Sequence, residues 1–343
     1  MSRFVLALLA VAIFSLAPAP RKDVQRRAME PPSAVPMTAA GIEISPRFIL
    51  PNGSAHPPAS FVNKVAFYNN HLYLGTFDDG IFSVAATPAE LDQHPERLRE
   101  AMHVPAPMRM VNDVAATRDT LIVAANEGLF FSRDGSQFER LDRVARGATG
   151  IAISGDHVFV TTTSALWRIR LRAGKQPRID GNWWLPAGSR ALQGITLSGN
   201  VAWLASEDRG VICFDPSANV PTFGAVDRLS GAPSSWVIAV AGDAQGGVFA
   251  ATLRDGVFHV DRINQPEFER ITAVPDPWSE SVSFDDGILC VGSQAGAACW
   301  KDWHQAPSQV FAPLPDGRVH AIARLGNAYL LGTEGGIALA GIP

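Results

Sequence analysis

Ala321–Leu339 reads AIARLGNAYLLGTEGGIAL. An alternating Ala/Ile run meets Gly326-Asn327, residues that tolerate the left-handed backbone of a two-residue hairpin turn. A second apolar run then ends in Gly332-Thr333, a Gly-Gly turn follows, and a third run closes the stretch. This is a three-stranded antiparallel meander. The chain repeats the pattern seven times. The residues that open the third strand are Gly80, Gly128, Ala165, Gly210, Gly256, Gly296 and Gly336. They lie roughly 43 residues apart on average, the period of a four-stranded propeller blade.

The first strands are VNKVAF (62–67), VNDVAA (111–116), ATGIAI (148–153), LQGITL (192–197), VIAVA (237–241), ESVSF (280–284) and HAIAR (320–324). Their small residues suit an innermost position, where blades crowd around an axis. Turns at Asn69-Asn70, Gly155-Asp156, Gly199-Asn200, Gly242-Asp243 and Asp286-Gly287 lead into the second strands. A variable outer strand shows best in FERLDRV, TFGAVDRL, FERITAVP and QVFAPLP. The seventh unit has no outer strand after its third, while ISPRFILPNG (44–53) resembles PSQVFAPLPDG (307–317). The expected fold is therefore all-β: a seven-bladed β-propeller of four-stranded antiparallel blades over 43–343. The N-terminal strand is expected to close it by joining the last blade, which would remove an open edge. In blade 1, Thr87-Pro88-Ala89-Glu90 reads as a capping box for a short surface helix.

The chain of 343 residues is 47% hydrophobic and 18% charged, with 30 Gly and 25 Pro. This suits a large, turn-rich β core. A net charge of -4 offers no bulk attraction to nucleic acid. Residues 1–19 carry one Arg before an apolar run, Phe4 to Ala17, the pattern of an export signal. Pro18 and Pro20 disfavour cleavage after Ala17 or Ala19, and RKDVQRR (21–27) places positive charge after the run. An uncleaved anchor, tethering the chain to a membrane, is the alternative. Residues 20–42 read as a disordered linker. An exported, periplasmic or extracellular propeller follows. Cys290 and Cys299 flank one hairpin; they pair as a disulfide if its turn centres on Gln294 and Ala295, or else are two buried thiols. Cys213 is left unpaired.

LYLGTFDDGIFSV (72–84) and YLLGTEGGIALAG (329–341) are similar to the two-component-regulator-type propeller repeat of bacterial sensor proteins. The resemblance spans about 59–343. It implies a propeller that serves as a sensing or scaffolding module.

Strand direction brings the starts of the inner strands and the second-to-third turns to one end of the ring, the expected place for a ligand. Arg109, Arg146, Arg190 and Arg318 lie at the strand starts, with Trp236 and Trp278 in related positions. Slightly further in come Asn63, Asn112, Thr149, Gln193, Ile238, Glu280 and His320. Asp78, Asp79, Glu127, Asp208, Arg209, Arg254, Asp255 and Glu334 occupy the turns, and Trp183 and Trp184 are placed on a nearby crossover. The arginines and tryptophans suggest a grip on a small anionic ligand or a protein partner. The reading is non-enzymatic, with no cofactor. The alternative is a hydrolase or lyase of the lactonase or streptogramin-lyase sort. In it Glu280 and His320 would form an acid–base pair, or join Asn63 and Asn112 around a divalent metal. His71, His157 and His259 read as structural.

Overall fold

The computed structural model describes residues 42–43, 47–49, 61–144, 146–185, 191–226, 231–261, 266–311, 314, 317–326 and 328–341. The expected export segment, most of the linker and Arg190 lie outside them. The described residues form seven four-stranded antiparallel blades in a ring. The inner strands are Val62–Tyr68, Val111–Ala116, Ala148–Ser154, Leu192–Ser198, Val237–Gly242, Ser279–Asp285 and Val319–Leu325. Each lies beside the next, and the last lies beside the first.

The core is distributed over the junctions between blades. Among the described residues seven apolar clusters occur, one per junction; Leu325, Leu330 and Ile337 of blade 7, for example, pack on Val62, Leu72 and Leu74 of blade 1. A radial sheet between two neighbours is covered on both faces. That is why second strands such as Leu121–Ala125 and Val248–Thr252 are buried at every position rather than at alternate ones.

The Gly-Thr that ends the second strands has two separate causes. A Cβ on Gly332 would lie 2.4 Å from the Val62 carbonyl oxygen of the next blade. Only hydrogen fits at this approach. The following hydroxyl staples the turn: Thr333 Oγ1 donates to Gly336 O at 3.1 Å and accepts from Gly335 N at 3.1 Å. Thr76, Thr162, Thr252 and Ser293 do equivalent work in their blades, while Ser206 accepts from Arg209 N and donates to Asp208 Oδ1.

Arg47–Ile49 pairs antiparallel with Ile337–Leu339 and is the outer strand of blade 7. A further pairing was not expected: Ile42–Glu43 adds a parallel fifth strand to blade 6 on Gln309–Val310. The capping box is present, with Thr87 Oγ1 accepting from Glu90 N and Glu90 Oε2 from Thr87 N. Cys290 and Cys299 stand directly opposite in register and are disulfide-bonded; Cys213 is free and buried.

Two local expectations change. Trp183 and Trp184 belong to the outer strand of blade 3, Arg178–Trp184, rather than to a crossover. Pairing of Ala165 with Trp184 extends this strand along the whole third strand, and Arg168 lies over the Trp183 ring. In blade 5 the hairpin turns through Asp243–Gly247 rather than at Gly242-Asp243, because Gly242 still pairs with Val248. The Asp243 carboxylate organises that loop, accepting from Gln245 N, Gly247 N, Ser198 Oγ and His259 Nε2. Among the described residues no helix is long and apolar enough to cross a membrane.

Candidate functional site

Every inner strand slips register by one residue near its start. The pairing skips Asn63, Asn112, Thr149, Gln193, Ile238, Glu280 and His320, one in each blade. A bulged residue is freed from the ladder and its side chain is re-aimed. All seven line a single axial cavity of about 370 Å³. Ligand pockets typically begin at about 300 Å³, so a small molecule fits.

The rim is set by a second repeated contact. In six blades the residue after the second strand donates its N–H to a carbonyl just before the inner strand: Phe77 to Phe61, Asn126 to Met110, Thr163 to Gly147, Glu207 to Ala191, Leu253 to Trp236 and Gln294 to Trp278. Phe61, Phe77, Glu207, Trp236 and Leu253 consequently join the cavity wall. The sequence reading missed Phe61, Phe77 and Glu207. The position directly after the second strand's closing Thr or Ser was the signal that could have found Phe77 and Glu207.

The ring is tied to its neighbours by its own polar groups. Asn63 Nδ2 donates to Val111 O at 3.0 Å, and Asn112 Nδ2 to Ala148 O at 2.7 Å, each reaching the next blade. Thr149 Oγ1 donates to Thr161 Oγ1 at 2.9 Å, and Gln193 Nε2 to Glu207 Oε1 at 2.5 Å. Lys64 also lines the cavity, one position past Asn63. Burial pushes the Asp113 carboxyl up, and the Lys64 charge pulls it back. Asp113 accepts from the amides of Val114 and Ile151.

At the junction of blades 6, 7 and 1 the ionisable groups converge. His320 Nδ1 lies 3.9 Å from Glu280 Oε2, and His320 Nε2 lies 3.7 Å from Glu334 Oε1. Arg318 Nη1 holds Glu334 Oε1 at 2.7 Å. The His320 side chain is 9% exposed, and its Nε2 is buried with no hydrogen-bond partner. Burial lowers the His320 pKa to about 4, so the ring is neutral at pH 7. Burial also raises the Glu280 carboxyl above its usual range. Among the described residues no three His, Cys, Asp or Glu side chains are grouped to hold a metal.

Of the remaining expected residues, Arg109, Arg146, Arg318 and Trp278 fall outside the cavity wall. Arg109 and Arg146 are exposed, and the Arg109 carbonyl receives Gly80 N at 2.7 Å. Trp278 is 36% exposed, with Arg254 5.8 Å from its ring centre. Trp236, 42% exposed, stands at the mouth.

No protein-family model and no curated protein matches the chain. Solved structures do. The extracellular domain of BT4673 from B. thetaiotaomicron, described as a hybrid two component system, superposes with a TM-score of 0.66 at 14% identity. The match covers 86% of this chain and 40% of that one, so this chain spans well under half of that domain's length. U3-55K gives a TM-score of 0.63 at 10% identity, covering 87% and 98% of the two chains. The Neurospora crassa Pan2 WD40 domain gives 0.61 at 13%, covering 82% and 89%. At such identities the likeness is one of fold.

Proposed function

We propose that this chain is a non-enzymatic binding propeller that works outside the cytoplasm, in sensing or scaffolding, and receives a small ligand or a segment of a partner protein at its axial cavity. The observation that carries this reading is the coincidence of seven bulges on one cavity. A purely structural channel has no need to free the same residue in every blade. The extracellular sensor domain among the structural neighbours and the repeat resemblance are in keeping with a sensing role. Export is supported by the apolar run Phe4–Ala17 and by the Cys290–Cys299 disulfide, which persists in oxidising compartments.

The test is capture from the native envelope fraction by purified wild type and by a Gln193→Ala/Trp236→Ala double variant. Capture that is lost in the variant, at an unchanged melting temperature, supports binding at the axial face. Equal capture by both overturns it.

A hydrolase or lyase using Glu280 and His320 is the second reading. Its support is the orphaned His320 Nε2 beside two carboxylates. Metal analysis, with and without a chelator during melting, discriminates its metal-dependent form.

A further inference from the structure

The polar groups of the axial ring are not oriented at random. The Asn63 amide faces the Val111 carbonyl, the Asn112 amide faces the Ala148 carbonyl, and the Gln193 amide faces the Glu207 carboxylate. A carbonyl or carboxylate can only accept, so in each case the NH₂ end must point at the protein. The second Asn112 N–H is engaged as well, donating to Asn126 Oδ1 at 3.0 Å. The Thr149 proton is held by Thr161. Among the described residues nothing donates to the amide oxygens of Asn63, Asn112 or Gln193. Those oxygens, the Glu280 carboxyl, which among the described residues accepts only from Gln294 Nε2 at 3.5 Å, and the His320 ring nitrogens are the remaining polar groups of the ring.

Among the described residues, Lys64 is the one cation in the cavity wall. Arg318 is held by Glu334 at 2.7 Å. The Lys64 charge acts on the buried Asp113 carboxyl of the next blade. Arg109 and Arg146 do not line the cavity. An entering anion would therefore meet mainly oxygens, an arrangement that disfavours it by like-charge and dipole repulsion. A group bearing O–H or N–H would meet acceptors at several points around a closed ring, with the Trp236 face beside it for its apolar surface.

We infer that the axial cavity is an acceptor site: it takes a small molecule that donates hydrogen bonds through hydroxyl or N–H groups, and it excludes anions. This rests on the axial-binding reading above and sets aside the anionic ligand that the arginines suggested in the sequence.

Three probes built on one ring separate the possibilities: glucosamine, N-acetylglucosamine and glucuronate, followed by saturation-transfer NMR at millimolar concentration on the full chain. The acceptor site predicts transfer to one or both of the first two and none to glucuronate. Gln193→Leu should reduce that transfer several-fold, and His320→Gln is the second variant if Gln193→Leu does not melt like wild type. Glucosamine binding that disappears in Glu280→Gln supports an acceptor site for an ammonium donor. N-acetylglucosamine binding indifferent to Glu280→Gln supports one for neutral hydroxyl and amide donors. Glucuronate binding as tightly as the other two overturns the inference while leaving axial binding intact. Silence from all three also overturns it, and axial binding is then judged by the capture experiment alone.

Discussion

Phe61 lies flat against His320: the ring centres are 4.0 Å apart and the planes 18° from parallel, across the seam where the last blade meets the first. Phe61 reaches this place with φ at +79°, a left-handed conformation that bulky residues rarely adopt. Its N–H is fixed on Glu334 O at 2.8 Å, and its carbonyl accepts from Phe77 N. Residues held in this way cost about 1–3 kcal/mol and persist where the surroundings demand them. Here the demand is a dry wall for the imidazole. Replacing Phe61 by Ala should let water reach His320 and move its pKa from about 4 toward the ordinary 6.5, as read by NMR titration of the ring protons. An unmoved pKa would mean that Phe61 does not shield it.

The same imidazole makes stability depend on pH. Folded His320 titrates near 4 and the unfolded residue near 6.5, so between these values the unfolded chain binds more protons. Stability therefore falls as pH drops through that window, by roughly 3 kcal/mol for this group alone. Glu280, whose folded pKa is raised, acts in the opposite sense: its unfavourable contribution is relieved as pH falls. Urea melts at pH 7 and pH 4.5 should show His320→Leu losing less stability than wild type over the interval. Parallel losses would contradict the burial of a neutral imidazole.

Close approach of blades predicts an asymmetry between two glycines. Gly332→Ala places its methyl 2.4 Å from Val62 O and should cost about 1–3 kcal/mol. Gly194→Ala meets nothing within 4 Å and should remain within about 0.5 kcal/mol of wild type. Denaturant midpoints decide between equal and unequal effects.

The disulfide spans a short hairpin within blade 6. Its removal in a Cys290→Ala/Cys299→Ala variant should destabilise by about 2–3 kcal/mol. Thiol titration of the denatured, non-reduced protein should find one reactive cysteine, Cys213. Three reactive thiols in protein purified from an oxidising compartment would refute the pairing.

Arg47–Ile49 is registered on the third strand of blade 7. If this strand closes the ring, a chain starting at Gly53 should melt lower and self-associate, because an unpaired sheet edge invites another chain. A monomer of unchanged stability would show that the other strands suffice.

The inner strands were legible because their repeat position dictates small and β-branched residues in every blade. The bulged ring was legible for the same reason, since Asn63, Glu280 and His320 share one place in the pattern. The arginines were not. Arg109 and Arg146 precede their strands, where no pairing fixes the side chain, and both emerge into solvent. Phe61 escaped because its positive φ has no counterpart in composition. Trp183 and Trp184 were misplaced because outer strands, with a single paired neighbour, vary most in sequence and length.

The repeated one-residue slip has a consequence for how such a protein can change over generations. Backbone geometry alone does the aiming, and the ladder continues on either side of the skipped residue. An exchange of one hub side chain for another therefore leaves the pairing of its own sheet intact. Selectivity can drift at seven independent addresses while the wheel that carries them stays the same.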